Sequence, residues 1–382
     1  MTTITRRAAI LLGGTAIAAT ATAFALRRFA GDDISPGERD AMARVAASFM
    51  ERFGVPGLSV AIAHHGRMVY QQPFGVANRD SNEPVSPSTL FRIASVSKPI
   101  TSATIFTLIQ QGKIRLEDKV FGKDGILGEK YATPPYKSYV QDVTIDHLLT
   151  HTCGGWDNGP GDPMFQYPAM DQDALISWTI DNQPLPNPPG THWAYSNFGY
   201  CLLGRVIEKV TGRIYSEYVK SEILAPCGIS DMRISGNTMD QRAPDEAIYY
   251  GQNGENPYGM NLQRMDSHGG WLATPTDMVL FANHVDGFET AANILKRETI
   301  TRMTTPCEAN AHYARGWAVN SVGNWWHGGS LPGTSTIMVR TSSGFCWAAF
   351  TNTRRQPSNV IDLALDEMVW GMVRQVRDWR NA

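Results

Sequence analysis

The hydrophobic pattern changes period several times along the chain. Ser35-Pro36-Gly37-Glu38 reads as a helix start, with Ser35 as N-cap, Pro36 at the first helical position and Glu38 completing a capping box. The helical pattern runs to about Phe53, where Gly54-Val55-Pro56-Gly57 breaks it. Residues 58–63 and 67–71 are β-rich and joined by His65-Gly66, a hairpin signal. Helical spacing returns over residues 98–111, stopped by Gly112, and in residues 144–151, 197–210 and 277–284. The Pro- and Gly-rich stretch 157–168 reads as a surface loop. Near the end the period becomes that of strands: 316–320, 325–327, 334–340 and 346–352, with Ser342-Ser343-Gly344 turning one hairpin. Residues 358–379 close the chain as a long helix.

Strands therefore lie at both ends of the sequence and helices fill the middle. Short connections between neighbouring strands imply antiparallel pairing. The expected class is α+β: an antiparallel sheet flanked by terminal helices, with a mostly helical inserted subdomain. One domain would cover 35–382, its α/β half formed by 35–92 and 270–382 and its helical half by 93–269. A site is expected in the crevice between the halves.

Composition narrows the partners. The chain has 382 residues, is 42% hydrophobic and carries a formal net charge of −2, enough for a large core and without the basic stripe of a nucleic-acid binder. The five cysteines form no CxxC pair and fit buried, unpaired thiols. At the N-terminus, Thr5-Arg6-Arg7 precedes an uncharged stretch, residues 8–26, and Ala21-Thr22-Ala23 offers a cleavage site. Residues 1–30 thus read as a twin-arginine-like export signal, with a periplasmic destination. A membrane anchor through residues 8–26 is the alternative, since that stretch can almost span a bilayer and Arg27-Arg28 follows it.

The candidate chemistry begins at Ser95-Val96-Ser97-Lys98. Residues three apart share a helix face, so Lys98 would sit one turn from Ser95. A serine hydroxyl needs a base to become a nucleophile. A lysine can serve if burial or a neighbouring charge lowers its pKa by roughly 3 units. A helix start at Ser95 would also aim backbone N–H groups at an oxyanion. Alone, Ser-x-x-Lys occurs about once by chance in a chain this long. Tyr195-Ser196-Asn197 follows the turn Pro188-Pro189-Gly190. A tyrosine beside a lysine can ionise or relay a proton, and Asn197 could bond the lysine or a substrate amide. His327-Gly328-Gly329-Ser330 ends a short strand, where glycines allow close approach of a ligand and a histidine could add charge or a hydrogen bond.

Together these segments resemble the serine β-lactamase-related hydrolases, which include class C β-lactamases, DD-peptidases, D-aminopeptidases and certain esterases. The resemblance runs from about Met50 to Thr353. It is carried by Val55-Pro56-Gly57-Leu58-Ser59-Val60, Phe91-Arg92-Ile93-Ala94-Ser95-Val96-Ser97-Lys98, Leu148-Leu149-Thr150-His151-Thr152-Cys153-Gly154, Tyr195-Ser196-Asn197-Phe198-Gly199-Tyr200, Gly269-Gly270-Trp271 and His327-Gly328-Gly329. It implies an acylated Ser95, proton transfer by Lys98 and Tyr195, and substrate or oxyanion contacts from Asn197, His327, Gly329 and Ser330. The oxyanion hole would be the backbone N–H groups of Ser95 and Ser330. Where class C β-lactamases have lysine, this chain has His327, which carries less charge at pH 7.

The reading is a serine hydrolase cleaving a peptide or amide bond of a small or unusual peptide, such as one with D-residues or a linearised cyclic peptide. Alternatives are a carboxylesterase, a β-lactamase, or an acyl receptor acting as a sensor without turnover. The partner is a small molecule or short peptide. No Gly-x-Ser-x-Gly elbow occurs, so an esterase of the α/β-hydrolase fold has no support, and no His-Glu-x-x-His occurs, so zinc hydrolysis has none; neither metal nor cofactor is expected. His151 reads as structural, and Trp325-Trp326 as a pocket wall beside His327.

Overall fold

A computed structural model describes residues 34–379. The export-signal and anchor expectations fall on residues 1–30, outside the described residues. The chain enters through α1 (Pro36–Phe53), β1 (Gly57–His64), β2 (Arg67–Asn78) and β3 (Glu83–Pro84). Short β4 (Phe91–Arg92) leads into α2 (Ser97–Gln110). The middle of the chain is helical: α3 (Ile145–Leu149), α4 (Gln172–Asn182), α5 (Asn197–Thr211) and α6 (Tyr215–Val219), then short β5 (Arg233–Ile234) and β6 (Tyr250–Gly251). Strand β7 (Trp271–Ala273), α7 (Pro275–Asn283) and α8 (Arg297–Thr304) bring it back to β8 (Ala318–Val319), β9 (Trp325–Leu331), β10 (Thr334–Arg340) and β11 (Phe345–Thr351). Short β12 (Thr353–Arg354) precedes α9 (Ser358–Val373).

Local chemistry sets these boundaries. Ser35 Oγ accepts from the Glu38 N–H while the Glu38 carboxylate accepts from the Ser35 N–H, so both halves of the capping box form. Gly54 ends α1 at φ 62°, a left-handed conformation that costs glycine least. His65 (φ 48°) and Gly66 (φ 73°) make the two-residue turn of the β1–β2 hairpin.

The seven-stranded sheet has the order β3-β2-β1-β11-β10-β9-β8, and every pairing in it is antiparallel. Its centre joins the two ends of the chain, with Leu58 opposite Thr351 and His64 opposite Phe345. Alternation along β1 sends Leu58, Val60 and Ile62 to one face, where they pack with Met42, Phe49, Trp347, Leu365 and Val369 under α1 and α9. Ala61 and Ala63 face the other way into the main core, with Phe91, Phe106, Met278 and Phe350. Burial on both faces makes β1 read as a nearly continuous apolar run. Each large side chain buried in these layers contributes roughly 1.5–3 kcal/mol.

The structure departs from the sequence expectation in several places. Strand β2 runs to Asn78, and the closing helix stops at Val373 rather than 379. Helix α4, capped by Asp171, was not anticipated. Residues 157–168 are not simply a surface loop: Asp162, Pro163 and Met164 are buried in a 3-10 turn. The cause is Arg264, whose guanidinium donates to the carbonyls of Met164, Gln166, Tyr167 and Met170 and pulls this segment inward. All five cysteines are free thiols. Among the described residues no helix is long and apolar enough to cross a membrane.

Candidate active site

The site is built outward from β4. Arg92 is buried there against Glu246 (3.3 Å), donates to Pro257 O (2.6 Å) and Ser235 Oγ (3.1 Å), and lies over the Tyr249 and Tyr258 rings. Thr334 and Thr336 of β10 donate to the carbonyls of Arg92 (3.0 Å) and Ile93 (2.8 Å). The strand is thus pinned just before it turns. Ala94 then takes φ 48°, a left-handed conformation costing a side-chain-bearing residue of order 1–3 kcal/mol. That turn presents Ser95, half-buried, in a 3-10 segment (Ala94–Val96) leading into α2.

Lys98 lies one turn further on and is fully buried. Its Nζ is 3.0 Å from Ser95 Oγ, 2.8 Å from Asn197 Oδ1 and 3.1 Å from the His268 carbonyl. Burial lowers its pKa from 10.5 to about 7, and the Asp162 carboxylate opposes the drop. A neutral amine has two N–H donors and one lone pair. Asn197 Oδ1 and the His268 carbonyl can only accept, so the lone pair is left for the Ser95 hydroxyl. Tyr195 stands beside this pair, its ring centroid 4.7 Å from Lys98 Nζ and its hydroxyl close enough to Ser95 to interact with it. Burial raises its pKa, so it is a phenol suited to relaying a proton, not a standing phenolate.

Asn197, the N-terminal residue of α5, has no amide hydrogen left for a substrate. Its Nδ2 donates to Asp162 Oδ2 (2.7 Å) and Asn158 Oδ1 (3.0 Å). Of the two roles expected for it, the geometry supports the bond to lysine.

His327 sits on β9 but is buried, and both ring nitrogens are engaged. The Ser196 N–H donates to His151 Nδ1 (3.0 Å), which leaves the proton of a neutral His151 on Nε2. His151 Nε2 and Tyr313 Oη are 3.0 Å apart, as are Tyr313 Oη and His327 Nε2. His327 Nδ1 is 2.6 Å from Gly328 O, which can only accept. The protons therefore run one way, from Ser196 through His151 and Tyr313 to His327 and Gly328. Burial, helped by Lys98 whenever the amine is protonated, lowers the His327 pKa to about 3. The expected charge or hydrogen bond toward a ligand is therefore not available from His327.

The edge of β9 completes the site. β8 pairs only with Trp325 and Trp326, leaving the rest of that edge uncovered. Leu331 and Thr334 close the two-residue hairpin to β10, so antiparallel alternation points the Ser330 N–H off the sheet edge. Gly329 sits against the turn at Ile93 and Ala94 that presents Ser95. A Cβ there would lie 2.3 Å from Ile93 O and 3.1 Å from the Ala94 Cβ.

A family model described as Beta-lactamase matches residues 42–367. The chain belongs to the beta-lactamase family. Penicillin-binding protein 4* of Bacillus subtilis (strain 168) is 28% identical over 307 residues, covering 74% of this chain and 64% of that protein. Esterase EstB of Burkholderia gladioli is 30% identical over 190 residues, 46% of each chain. This chain thus spans less than two thirds of the length of either relative. Among solved structures, the D-amino acid amidase of Ochrobactrum anthropi SV3 complexed with D-phenylalanine superimposes with a TM-score of 0.72 at 22% identity, over 88% of this chain and 98% of that one. The octameric penicillin-binding protein homologue of Pyrococcus abyssi gives 0.70 at 24% identity, over 88% and 78%. These likenesses place the fold in the beta-lactamase/DD-peptidase class.

The structure adds residues to this beta-lactamase-family site that sequence reasoning missed: Asp162 behind Asn197, the His268 carbonyl on Lys98, and Tyr313 between two histidines. His151 is structural, as expected, but as a member of a hydrogen-bonded chain. The expected wall forms only in part: Trp325 lies on the Arg340 guanidinium (3.7 Å) and lines a pocket with Thr304, His312 and Val319, whereas Trp326 packs with the cluster under α1 and α9. Trp193, near Tyr195 and Tyr313, is the tryptophan beside the site. Among the described residues no group of His, Cys, Asp and Glu could hold a metal ion.

Proposed function

We propose that this protein is a serine hydrolase that acylates Ser95 and cleaves a small amide or peptide lacking a free carboxylate next to the scissile bond. The observation that carries the first half is the buried Lys98 Nζ 3.0 Å from Ser95 Oγ, with acceptors at its other two partners, so that a neutral amine turns its lone pair to Ser95. The second half rests on His327, neutral and with both nitrogens committed, where a cation would be needed to hold a carboxylate. Ser95 Oγ attacks the carbonyl carbon as its proton moves to Lys98 Nζ. The N–H groups of Ser95 and Ser330 receive the oxyanion. Tyr195 gives its hydroxyl proton to the leaving nitrogen and regains one from the Lys98 side. Water then attacks the acyl-enzyme, and Ser95 leaves with a proton. Esters are the second reading, supported by the similarity to an esterase over 46% of the chain. The Arg6-Arg7 segment supports export as the setting, tested by fractionating cells that express an Arg6→Lys, Arg7→Lys variant.

The deciding assay offers nitrocefin, p-nitrophenyl esters, D-aminoacyl anilides, and short peptides as matched acids and C-terminal amides. Amides should outrun their acids, and Ser95→Ala should lose at least about 10³-fold in rate. Undiminished Ser95→Ala activity removes the mechanism. A preference for acids removes the carboxylate argument. A stoichiometric adduct that never turns over would instead make the protein an acyl receptor.

A further inference from the structure

The two ends of an asparagine amide are chemically opposite, and in this site they are not interchangeable. Asn197 Nδ2 faces the Asp162 carboxylate at 2.7 Å, and Oδ1 faces Lys98 at 2.8 Å. A carboxylate only accepts, so the end of the amide that meets Asp162 must be the donor. Turning the amide over would press Oδ1 against the carboxylate and N–H groups against the amine. Lys98 would then lose one of its two fixed acceptors, and its lone pair would no longer be confined to Ser95.

We infer that Asp162 is the positioning residue that aims Lys98 at Ser95, by dictating which end of the Asn197 amide meets the amine. This rests on the reading of Ser95 and Lys98 given above.

Asp162 is itself firmly held. It is 2% exposed, and its Oδ1 accepts from the Met164 N–H at 2.9 Å. Arg264 fixes the segment around it through four carbonyls. The same short stretch supplies the His268 carbonyl, so both acceptors that orient Lys98 trace back to residues 264–268. Charge adds a second effect. The groups facing Lys98 are the imidazoles of His151, His268 and His327, which burial keeps neutral, and the phenols of Tyr195 and Tyr200, with Tyr313 next to them. Asp162 is the carboxylate acting on the amine, and it holds the Lys98 pKa above where burial alone would leave it.

The two effects separate by substitution. Asp162→Ala removes both the acceptor and the charge. Asp162→Asn keeps a carbonyl for Asn197 Nδ2, removes the charge, and turns its NH2 toward the Met164 N–H in place of the second acceptor. With full-chain protein and p-nitrophenyl butyrate, kcat and KM are measured from pH 5 to 9 for wild type, Ser95→Ala and both variants. Asp162→Ala should lower kcat at least about 30-fold with KM within about threefold. Asp162→Asn should recover part of that loss, with the acidic limb of kcat/KM moved down by roughly half a pH unit or more. Equal impairment of the two variants, a wild-type kcat in Asp162→Ala, or an unmoved limb in Asp162→Asn overturns the inference. If Asp162→Ala does not fold, the limb of Asp162→Asn decides alone. Activity surviving in Ser95→Ala means that the underlying reading has failed. Activity lost there, with unremarkable Asp162 variants, means that only this inference has.

Discussion

Replacing Lys98 by methionine should change stability in a way that depends on pH, and the structure fixes the shape of that dependence. Burial brings the amine from 10.5 to about 7, which corresponds to ~5 kcal/mol at about 1.4 kcal/mol per pH unit. Between those two values the unfolded chain carries a proton on Lys98 that the folded protein lacks. Stability contributed by this residue therefore rises with pH across that window. Below pH 7 both states are protonated and the full cost of burying the amine is present. Lys98→Met removes that cost but leaves Asn197 Oδ1 and the His268 carbonyl without a donor, at roughly 1–3 kcal/mol each. These opposing effects nearly cancel at neutral pH, so a single melting temperature decides nothing. The difference between the proteins does decide. In urea titrations from pH 7 to 10, wild type should gain on Lys98→Met by up to ~1.4 kcal/mol per unit, ~4 kcal/mol in all. Over the same range kcat/KM of the wild type should level off above an acidic limb near pH 7. A stability difference that stays flat across the window, or a limb below about pH 5, refutes the assignment of the buried amine as the base.

Two further outcomes test the frame around the base. Gly329→Ala places a methyl 2.3 Å from Ile93 O and Thr336 Oγ1, so it should cost ~1–3 kcal/mol in chemical denaturation and displace Ser95 from the edge of β9. Gly328→Ala, whose nearest new contact would be 3.8 Å away, should be tolerated, and equal losses in both would contradict the packing. Tyr313→Phe strands His151 Nε2 and His327 Nε2 and should cost roughly 1–3 kcal/mol by thermal or urea unfolding. Adding His151→Phe to it should cost less than the sum of the single changes, because one chain of bonds is being broken twice.

What the sequence could disclose follows from how far apart the cooperating atoms lie along the chain. Ser95 and Lys98 are one helical turn apart, so their meeting at 3.0 Å is a local property, and the alternation in residues 334–340 and 346–352 is local too. Asp162, His268 and Tyr313 act through contacts 35, 170 and, for Tyr313 to His151, 162 residues apart, with no periodic or motif signal of their own. The composition of residues 157–168 pointed to solvent, because proline and glycine mark turns whether or not a turn is buried. Only the distant Arg264 decides that it is. His327 illustrates the same limit: its place on a strand end was readable, but the occupancy of its two nitrogens depends on Tyr313, fourteen residues earlier, and on the fold between them.

The pairing of β1 with β11 bears on how the molecule is made. As the ribosome extends the chain, the first hairpin emerges early and then waits, on the order of tens of seconds, for its central neighbour. Ser95 and Lys98 leave the exit tunnel long before the β9 edge against which Ser95 is to be set. The nascent protein thus carries an apolar strand with one side unsatisfied through most of its synthesis. The frame around Ser95 and Lys98 is complete only when the last strands dock, so a chain that terminates before residue 351 holds its motif residues without the architecture that positions them.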